Sequence, residues 1–395
     1  MKIGLLTYHF SDNYGALFQA FALRRWLQER GAEAEFVNYH PPYVEEGGPL
    51  DRPWKLSLWR KNATILYMKQ AHLRHRFFGD KRQTAAFDRF RAEHLGVSGP
   101  RLRQPEDLRP LMAGYDMLVC GSDQIWNPSI QRGLDPVYFL DIPGSDGLRK
   151  AAYAPSFGRS TIEPGYRAEL GRLLGGLDAI SVRESSGLDI LESAGLPRDR
   201  ALVVPDPTIL LGRFDSLLSS GNAPDNSVFC YALRTDEGIR EVAEEAARLT
   251  GGALYAPRNP HQRWRDIGQG VIPGPREWLD MLARAGMVVS NSFHGVALSV
   301  VMNKPFVAVS LPGKRAGMNA RVQNLLTLAG LTDRIVETAD PARVRELART
   351  PVDWVQVNAR LAAVRATAEA YLDANIEAAR NQTDRASGLK ERVLN

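Results

Sequence analysis

The sequence predicts an α/β protein with two Rossmann-like, doubly wound domains that face a cleft. At 395 residues, the chain exceeds what one hydrophobic core usually supports. Two series of apolar runs alternate with helical patterns, and the Ser-, Gly-, Asn- and Pro-containing segment 212–226 separates them. Apolar strands joined through helices are typical of a parallel sheet covered on both faces. Ligands of such sheets bind beyond the carboxyl ends of the strands, so we expect the site in the cleft.

The first series begins with a β-α-β unit. An apolar strand over Ile3–Thr7 precedes a helix over Ala16–Arg30, and Glu35–Tyr39 starts the next strand. Further strand-to-loop units follow in YDMLVCGSDQIW, KAAYAPSFG, DAISVRESSG and ALVVPDPT. These units predict an N-terminal domain over residues 1–212, with a basic helical insert at about 51–95.

The second series starts at Ser227 and predicts a C-terminal domain over residues 227–350. Its expected elements are strand Val228–Leu233, helix Glu237–Leu249, strand Ala253–Ala256, helix Arg276–Ala285, strand Met287–Val289, helix His294–Met302 and strand Phe306–Ser310. An alanine-rich pattern with glutamate and arginine follows them. It predicts a C-terminal helix over residues 351–382 that packs back on the first domain.

Composition and cysteine usage are those of an ordinary globular protein, with 44% hydrophobic and 24% charged residues. Cys120 and Cys230 lie in apolar runs, where a thiol behaves as a small hydrophobe, and they offer no zinc spacing. No apolar stretch approaches the roughly 18 residues that span a bilayer. The start MKIGLLTYHF lacks the features of an export signal. We therefore expect a cytoplasmic protein without a metal site.

The basic insert holds more positive charge than the whole chain, whose net charge is +5. Eleven Lys and Arg residues between Asp51 and Leu95 oppose four acids, a local excess of seven, and aromatic residues are interleaved with them. Such a segment fits a peripheral contact with anionic membrane at the inner face, or with a lipid-linked or phosphate-bearing acceptor. An ordinary solvated helix pair is the alternative. Nucleic acid is not expected, because no binding motif accompanies the charge.

Two loops of the N-terminal domain follow predicted strands. In HFSDNYGA, Asn13 and Gly15 suit a tight turn with bare amides, and Asp12 or Ser11 would cap the next helix. The loop lacks the dinucleotide glycine pattern and the Walker lysine, so it predicts no nucleotide, and a purely structural turn stays open. In GSDQIWN, the residues at the strand end are Ser122, Asp123 and Gln124.

Arg183 stands where another apolar strand ends, in SVRE. Its guanidinium suits a bidentate contact with a carboxylate or phosphate. It equally suits a structural clamp to Glu184 or Asp206. Asp206 itself lies in the rigid stretch PDPT, which is typical of a domain-closing turn.

The stretch VSNSFHG places polar residues at a strand-to-helix junction of the C-terminal domain. Ser290, Asn291 and Ser292 offer a cap and hydroxyls at a helix N-terminus, whose amides and dipole attract an anion. His294 falls in the first turn, where a bound phosphate would help it hold a proton. A histidine that caps a core helix is the alternative. Cations follow in the sequence at Lys304, Lys314, Arg315 and Arg321.

These motifs together resemble the polysaccharide pyruvyl transferase family. HFSDNYGALFQAFAL, GSDQIWNP, YFLDIP, AAYAPSFG, SVRESSG, VVPDPTILL, VVSNSFHGVALSVVMNKPFV and RVQNLLTLAGL occur in the family's order from about Lys2 to Leu331. The resemblance implies a GT-B-like fold and transfer of a pyruvyl group from phosphoenolpyruvate onto two sugar hydroxyls of exopolysaccharide or cell-wall glycan. The products are a pyruvate ketal and phosphate.

The resemblance also implies roles for individual residues. His294 resembles the family's catalytic or phosphate-contacting histidine, and Arg183 resembles its phosphoenolpyruvate-binding arginine. This chain departs from the family pattern Ser-x-Arg-x-His, because Ser292 stands at the position of the arginine. Either Lys304, Arg315 or Arg321 replaces that arginine, or the donor differs from phosphoenolpyruvate.

The expected reaction needs an acid for the enol methylene, cations for phosphate and carboxylate, and a base for the hydroxyl. We assign His294 as the acid and Asp123 or Asp12 as the base. The donor-binding residues expected are Arg183, Ser290, Ser292, Lys304 and Arg321. The acceptor-binding residues expected are Asn13, Tyr14, Gly15 and Gln124. We expect no cofactor and no metal, with phosphoenolpyruvate as co-substrate.

Two other functions stay open from the sequence. A glycosyltransferase that uses a nucleotide sugar would occupy the same scaffold, although Gly295–Asn303 lacks the acid such enzymes commonly place there. A non-catalytic binder of phosphorylated glycans is the third, and the missing arginine favours it.

Overall fold

The structure of the protein is a computed structural model. It describes residues 1–47, 50, 52, 54–55, 58–97, 99–221, 223–233, 237–258, 266–311, 319–337 and 340–394. The chain forms two compact units. The N-terminal unit contains Met1–Gly79, Arg91–Pro207 and Thr367–Asn395, and the C-terminal unit contains Asp80–Phe90 and Thr208–Ala366.

Strands and α-helices alternate through most of the described chain. The strands are β1 (Lys2–Leu6), β2 (Glu33–Phe36), β3 (Met117–Cys120), β4 (Arg149–Ala152), β5 (Ala179–Val182), β6 (Ala201–Val203), β7 (Val228–Tyr231), β8 (Leu254–Pro257), β9 (Gln269–Val271), β10 (Met287–Ser290), β11 (Phe306–Val309) and β12 (Ile335–Val336). The α-helices are α1 (Tyr14–Glu29), α2 (Pro42–Glu45), α3 (Trp59–Phe78), α4 (Lys81–Phe90), α5 (Arg109–Met112), α6 (Pro128–Gln131), α7 (Arg167–Gly175), α8 (Ser185–Ser193), α9 (Pro207–Leu211), α10 (Glu237–Thr250), α11 (Pro275–Arg284), α12 (Phe293–Val301), α13 (Asn319–Ala329), α14 (Pro341–Arg349) and α15 (Trp354–Leu394).

The sheet of the N-terminal unit is parallel, with strand order β2-β1-β3-β4-β5-β6. Every residue of β3 is buried, which is why its sequence MLVC is an unbroken apolar run. The chain builds outward from β1 to β2, then returns to the other side of β1 at β3. The switch of direction therefore lies between β1 and β3, and the crevice beyond their carboxyl ends is where such sheets bind ligands.

The sheet of the C-terminal unit is also parallel, with strand order β12-β11-β10-β7-β8-β9. The strands β7, β10 and β11 are buried along their whole length. The direction changes between β7 and β10, as in Rossmann sheets. The predicted fold class is confirmed in that the chain contains two doubly wound α/β units, the domain composition of a GT-B-like fold.

The structure divides the basic insert between the two units, whereas the sequence analysis assigned all of 51–95 to the N-terminal domain. α4 belongs to the C-terminal unit. There the Gln83 side chain donates to the Pro273 carbonyl at 3.4 Å, and a Cβ at Gly274 would lie 2.7 Å from that of Ala86. Basic residues continue through α3 and α4 alike, so the sequence carries no signal for this division.

From Thr367 onward, α15 belongs to the N-terminal unit. The Tyr371 hydroxyl donates to the Ala152 carbonyl at 2.9 Å. The Arg149 guanidinium donates twice to the side-chain oxygen of Asn375, at 2.9 and 3.1 Å. These bonds hold the helix against β4. Among the described helices, none combines the length and the apolarity needed to cross a membrane.

Candidate functional site

In the C-terminal unit, the strand ends on either side of the switch point are tied together by side chains of VSNSFHG. The Leu233 amide, after β7, donates to the Asn291 side-chain oxygen, after β10, at 2.7 Å. The Ser290 hydroxyl donates to the Tyr231 carbonyl at 2.6 Å and accepts from the Ser292 amide at 3.1 Å. Ser290 and Asn291 therefore fix the backbone from which α12 begins.

α12 begins directly at this junction. Ser292 occupies the N-cap position, and its carbonyl accepts from the Val296 amide at 3.0 Å. A Cβ on Gly295 would come within 2.2 Å of the Ser290 hydroxyl oxygen and 3.0 Å of the Tyr231 ring. Only glycine allows this close approach of helix to strands. The amides of the first turn of α12 are thereby set at the carboxyl edge of the sheet, an arrangement that attracts anions.

Two basic side chains lie at the same edge. His294 is in the first turn of α12, and its ring meets that of Phe293 edge-on at 5.1 Å between centroids. Arg321 is the third residue of α13, which follows β11. The side chain of Asn319 and the backbone of Leu311 exchange hydrogen bonds of 2.9 and 3.0 Å, which hold the start of α13 at the carboxyl end of β11. Both side chains are largely buried, with 8% of His294 and 7% of Arg321 exposed.

Lys304 lies at the opposite edge of this sheet, so the structure does not bring it together with His294 as predicted. It directly precedes Pro305 and β11, whose first residue, Phe306, pairs with Val288 of β10. Burial lowers the pKa of Lys304, against the attraction of Asp225, which precedes β7. An anion at the start of α12 is beyond its reach, because the nine residues of α12 separate the two edges by roughly 13 Å. Lys314 and Arg315 lie outside the described residues.

At the carboxyl edge of the N-terminal sheet, buried side chains join the strand ends. The Thr7 hydroxyl donates to the Ser122 carbonyl at 3.1 Å, and Gln19 of α1 donates to Thr7 at 2.9 Å while accepting from the Ser122 amide at 3.0 Å. The Ser122 hydroxyl donates to the Ala154 carbonyl at 2.6 Å. The predicted loop residue Ser122 is therefore fully buried and holds β1, β3 and β4 in register.

Arg183 forms the structural clamp to Glu184 and Asp206 that was one of its two predicted roles. Its Nη1 donates to Asp206 at 2.9 Å, and its Nε lies 3.6 Å from a carboxylate oxygen of Glu184. Ser156 donates to the other oxygen of Glu184. Burial opposes the charge of Arg183, but the carboxylates outweigh it and raise the pKa of Arg183. With 3% of Arg183 exposed, this guanidinium is buried beside two carboxylates.

The first loop differs from its prediction at the cap. Asn13, rather than Asp12 or Ser11, caps α1 by accepting from the Ala16 amide at 3.2 Å. Gly15, predicted in a tight turn, lies inside the first turn of α1, and Tyr14 is the buried first residue of that helix. The Asp12 carboxylate accepts from Arg91 at 2.7 Å. That ion pair makes Asp12 a poor candidate base.

Asp123 and Gln124 remain at the N-terminal switch point, directly after β3. Asp123 is partly exposed and adopts a left-handed backbone with φ of 67°. One of its carboxylate oxygens accepts from the Gln124 amide at 2.8 Å, and its carbonyl accepts from the Ser156 amide at 2.8 Å. The Gln124 side-chain oxygen accepts from Asn127 at 2.8 Å. The loop thus holds a carboxylate and an amide at the carboxyl edge of the sheet.

A buried carboxylate beside the first loop, Asp135, was not predicted from the sequence. Asp135 accepts from the Val137 amide at 3.0 Å, from the Tyr39 hydroxyl at 2.9 Å and from the Tyr43 hydroxyl. Burial raises the pKa of Asp135, against the hydrogen bonds that lower it. Tyr8, two residues after β1, has its pKa raised by burial and by nearby carboxylates. The sequence signal was an aspartate directly before a proline, which is typical of a capped turn.

Comparison with protein families gives a match to the polysaccharide pyruvyl transferases over residues 13–311. The matched region includes α1, the loop after β3 and the start of α12. The chain belongs to the polysaccharide pyruvyl transferase family. The protein is therefore a transferase, of a family named for pyruvyl transfer to glycans. No curated protein sequence matches the chain.

Solved structures similar to this pyruvyl transferase family member include UDP-N-acetylglucosamine 2-epimerases. The enzyme from Rickettsia bellii is 9% identical, with 95% of this chain and 97% of that one covered and a TM-score of 0.48. The Neisseria meningitidis enzyme, bound to UDP-GlcNAc, is 10% identical, with 93% and 99% covered and a TM-score of 0.43. S. aureus MnaA in its UDP co-structure is 12% identical, with 91% and 90% covered and a TM-score of 0.45. Similarities of this size say nothing about the ligand of this chain.

Proposed function

We propose that the protein transfers a pyruvyl group from phosphoenolpyruvate onto two hydroxyls of a sugar or glycan, leaving a pyruvate ketal and phosphate. The observation that carries the proposal is the position of His294. It stands in the first turn of α12, at the switch point of a sheet within the region that matches the pyruvyl transferases. A donor with a phosphate and a carboxylate suits this helix start.

The donor is assigned to the C-terminal unit. The amides of the first turn of α12 and the guanidinium of Arg321 bind its anionic groups. Neither α12 nor α13 contains an acidic residue, so their own side chains do not repel an anion. Ser292 stands at the cap, where the family pattern has an arginine, and we assign the role of that arginine to Arg321. Ser290 positions the helix start through its bond to Tyr231 rather than by touching the donor.

His294 acts as the general acid in this proposal. It donates its proton to the methylene carbon of phosphoenolpyruvate, which becomes the methyl group and leaves an oxocarbenium-like centre at the neighbouring carbon. A sugar hydroxyl attacks that carbon, and a second hydroxyl displaces phosphate by breaking the carbon–oxygen bond. Of the two hydroxyl protons, one replaces the proton given by His294 and the other leaves on phosphate.

The acceptor is assigned to the N-terminal unit. Asp123 accepts the proton of the attacking hydroxyl, which then passes through solvent to replace the proton that His294 gave. Asp123 is chosen because it is partly exposed, whereas Asp12 is ion-paired with Arg91. Gln124 donates and accepts hydrogen bonds beside it, as a sugar hydroxyl requires. Arg183 is a positioning residue, since it holds Asp206 and Glu184 beneath these loops.

The test is phosphate release from phosphoenolpyruvate with a panel of free, nucleotide-linked and lipid-linked sugars. The proposal expects release that depends on a sugar, with a ketal detected in the product and no release above background by His294→Ala. His72→Ala, in α3, is the matched control and keeps wild-type release. If a nucleotide sugar, but not phosphoenolpyruvate, raises the melting temperature, the protein is a glycosyltransferase and the proposal is overturned.

A further inference from the structure

We propose that the outer face of α3 binds the surface of an anionic lipid bilayer. This face carries large apolar side chains that the fold leaves in solvent. The exposed fractions are 60% for Trp59, 55% for Leu66, 50% for Leu73 and 67% for Phe77. These four residues are 7, 7 and 4 positions apart and so share one stripe of the helix. We call them the apolar stripe of α3.

Another face attaches α3 to the N-terminal unit. Ile65 is 1% exposed and lies about 100° around the helix from Leu66 of the apolar stripe. Met68 follows Ile65 by three positions, and its sulfur accepts from Arg132 at 3.6 Å. Because this face is already packed on the unit, burying the apolar stripe would require an external surface. The stripe is therefore available to a partner without unfolding or turning the helix.

The charge around the stripe identifies the partner. Between Asp51 and Asp80 the chain has seven basic residues and no acidic one: Arg52, Lys55, Arg60, Lys61, Lys69, Arg74 and Arg76. In the helical arrangement, Arg60 and Arg74 flank the apolar stripe on one side and Lys69 on the other, and all three are exposed. Aromatic and leucine side chains beside lysine and arginine suit the boundary between acyl chains and anionic headgroups.

A solvated helix and a second copy of the chain both fit these observations less well. A solvated helix would expose polar side chains where α3 exposes its apolar stripe. Two copies joined through the stripe would bring basic residues of like charge together. The described helices include none that could span a bilayer, so the contact lies on the surface of the membrane.

The test uses the full chain and sedimentation with vesicles of phosphatidylcholine alone, or of equal parts phosphatidylcholine and phosphatidylglycerol. We expect binding to the anionic vesicles that weakens with added salt, and little binding to the neutral ones. Each basic residue near an anionic surface contributes roughly fivefold to partitioning, so R60A/R74A should lower the partition coefficient about 25-fold. L66S/L73S should abolish binding while leaving the protein folded, because both side chains are exposed.

The matched controls are Arg167→Ala and Leu111→Ser, which change exposed residues of the same unit outside α3. Both should bind anionic vesicles like the wild type, and thermal unfolding verifies that all variants fold. The proposal is overturned if the wild type ignores anionic vesicles, or if controls and α3 variants lose binding equally. It is also overturned if the wild type is a dimer that L66S/L73S converts to a monomer without any vesicle binding. None of these outcomes depends on the reaction that the protein catalyses.

Discussion

The carboxyl edges of the two sheets carry different polar chemistry. In the N-terminal unit, charged side chains pair with one another: Arg183 is held between Asp206 and Glu184, and Asp12 is paired with Arg91. In the C-terminal unit, His294 and Arg321 lie on helices that contain no acidic residue. An edge rich in carboxylates suits hydroxyl groups, and an edge of helix amides and basic side chains suits an anion. This difference is the basis on which we propose the N-terminal edge for the acceptor and the C-terminal edge for the donor.

Arg183 tests whether the N-terminal edge is structural. Arg183→Ala leaves two buried carboxylates without their guanidinium, which should cost about 3–5 kcal/mol of unfolding free energy, measured by urea denaturation. Arg172→Ala is the control, because its pair with Asp141 has side chains 61% and 51% exposed and should cost less than about 1 kcal/mol. If Arg183→Ala is as stable as the wild type but binds phosphoenolpyruvate more weakly, Arg183 binds the donor and is not a structural clamp.

Asp123 tests the acceptor role of the same edge. Asp123→Asn keeps the acceptor oxygen that bonds the Gln124 amide but removes the base, so kcat should fall at least about a hundredfold. Asp12→Asn disturbs only a partly exposed ion pair, and its kcat should stay within about twofold of the wild type. Steady-state phosphate release measures both. The assignment of the base fails if the two variants behave in the opposite way.

We expect the free energy of unfolding to depend on pH through His9, which follows β1 in the N-terminal unit. Burial lowers the pKa of His9 from 6.5 to about 4, while its hydrogen bond to the Thr7 carbonyl opposes the change. The unfolded chain therefore binds more protons between these values, and stability falls as the pH decreases from 6.5 to 4. The loss of unfolding free energy over this pH range approaches about 3 kcal/mol. His9→Gln should flatten this dependence in urea denaturation at several pH values.

Arg321 tests the C-terminal edge as an anion site. Arg321→Ala removes a charged hydrogen-bond donor, so the dissociation constant of phosphoenolpyruvate should rise roughly tenfold to a hundredfold by calorimetry. Lys304→Ala should leave the dissociation constant of phosphoenolpyruvate within about twofold of the wild-type value, because Lys304 lies at the other edge of the sheet. A larger effect of Lys304 than of Arg321 would mean that the donor binds elsewhere.

The sequence predicted the two sheets because their central strands are short, fully apolar runs between helical patterns. It missed the edge strands β9 and β12, which have three and two residues and leave little apolar signal. It also placed Lys304 with His294, since ten positions in sequence do not reveal that a helix carries the chain back to the opposite edge. The loops after β1, β3 and β10 were identified because small polar residues there follow buried strands.

The side-chain pairing at the N-terminal edge could be predicted only as alternatives. Asp206 lies 23 positions after Arg183, and only the adjacent ends of β5 and β6 bring these two residues together. The resemblance to the family assigned Arg183 to the donor, whereas the structure holds it in a buried clamp. Asp135 was missed because its partners, Tyr39 and Tyr43, are distant in sequence.

The central claim is that His294 protonates a donor bound at the start of α12. The most direct test is the turnover of His294→Ala with phosphoenolpyruvate in heavy water, measured beside donor binding by calorimetry. We predict one deuterium in the ketal methyl group of the wild-type product, and a kcat for His294→Ala at least about a hundredfold lower with donor binding retained within about tenfold. A variant that keeps its turnover and still delivers one deuterium would contradict the claim.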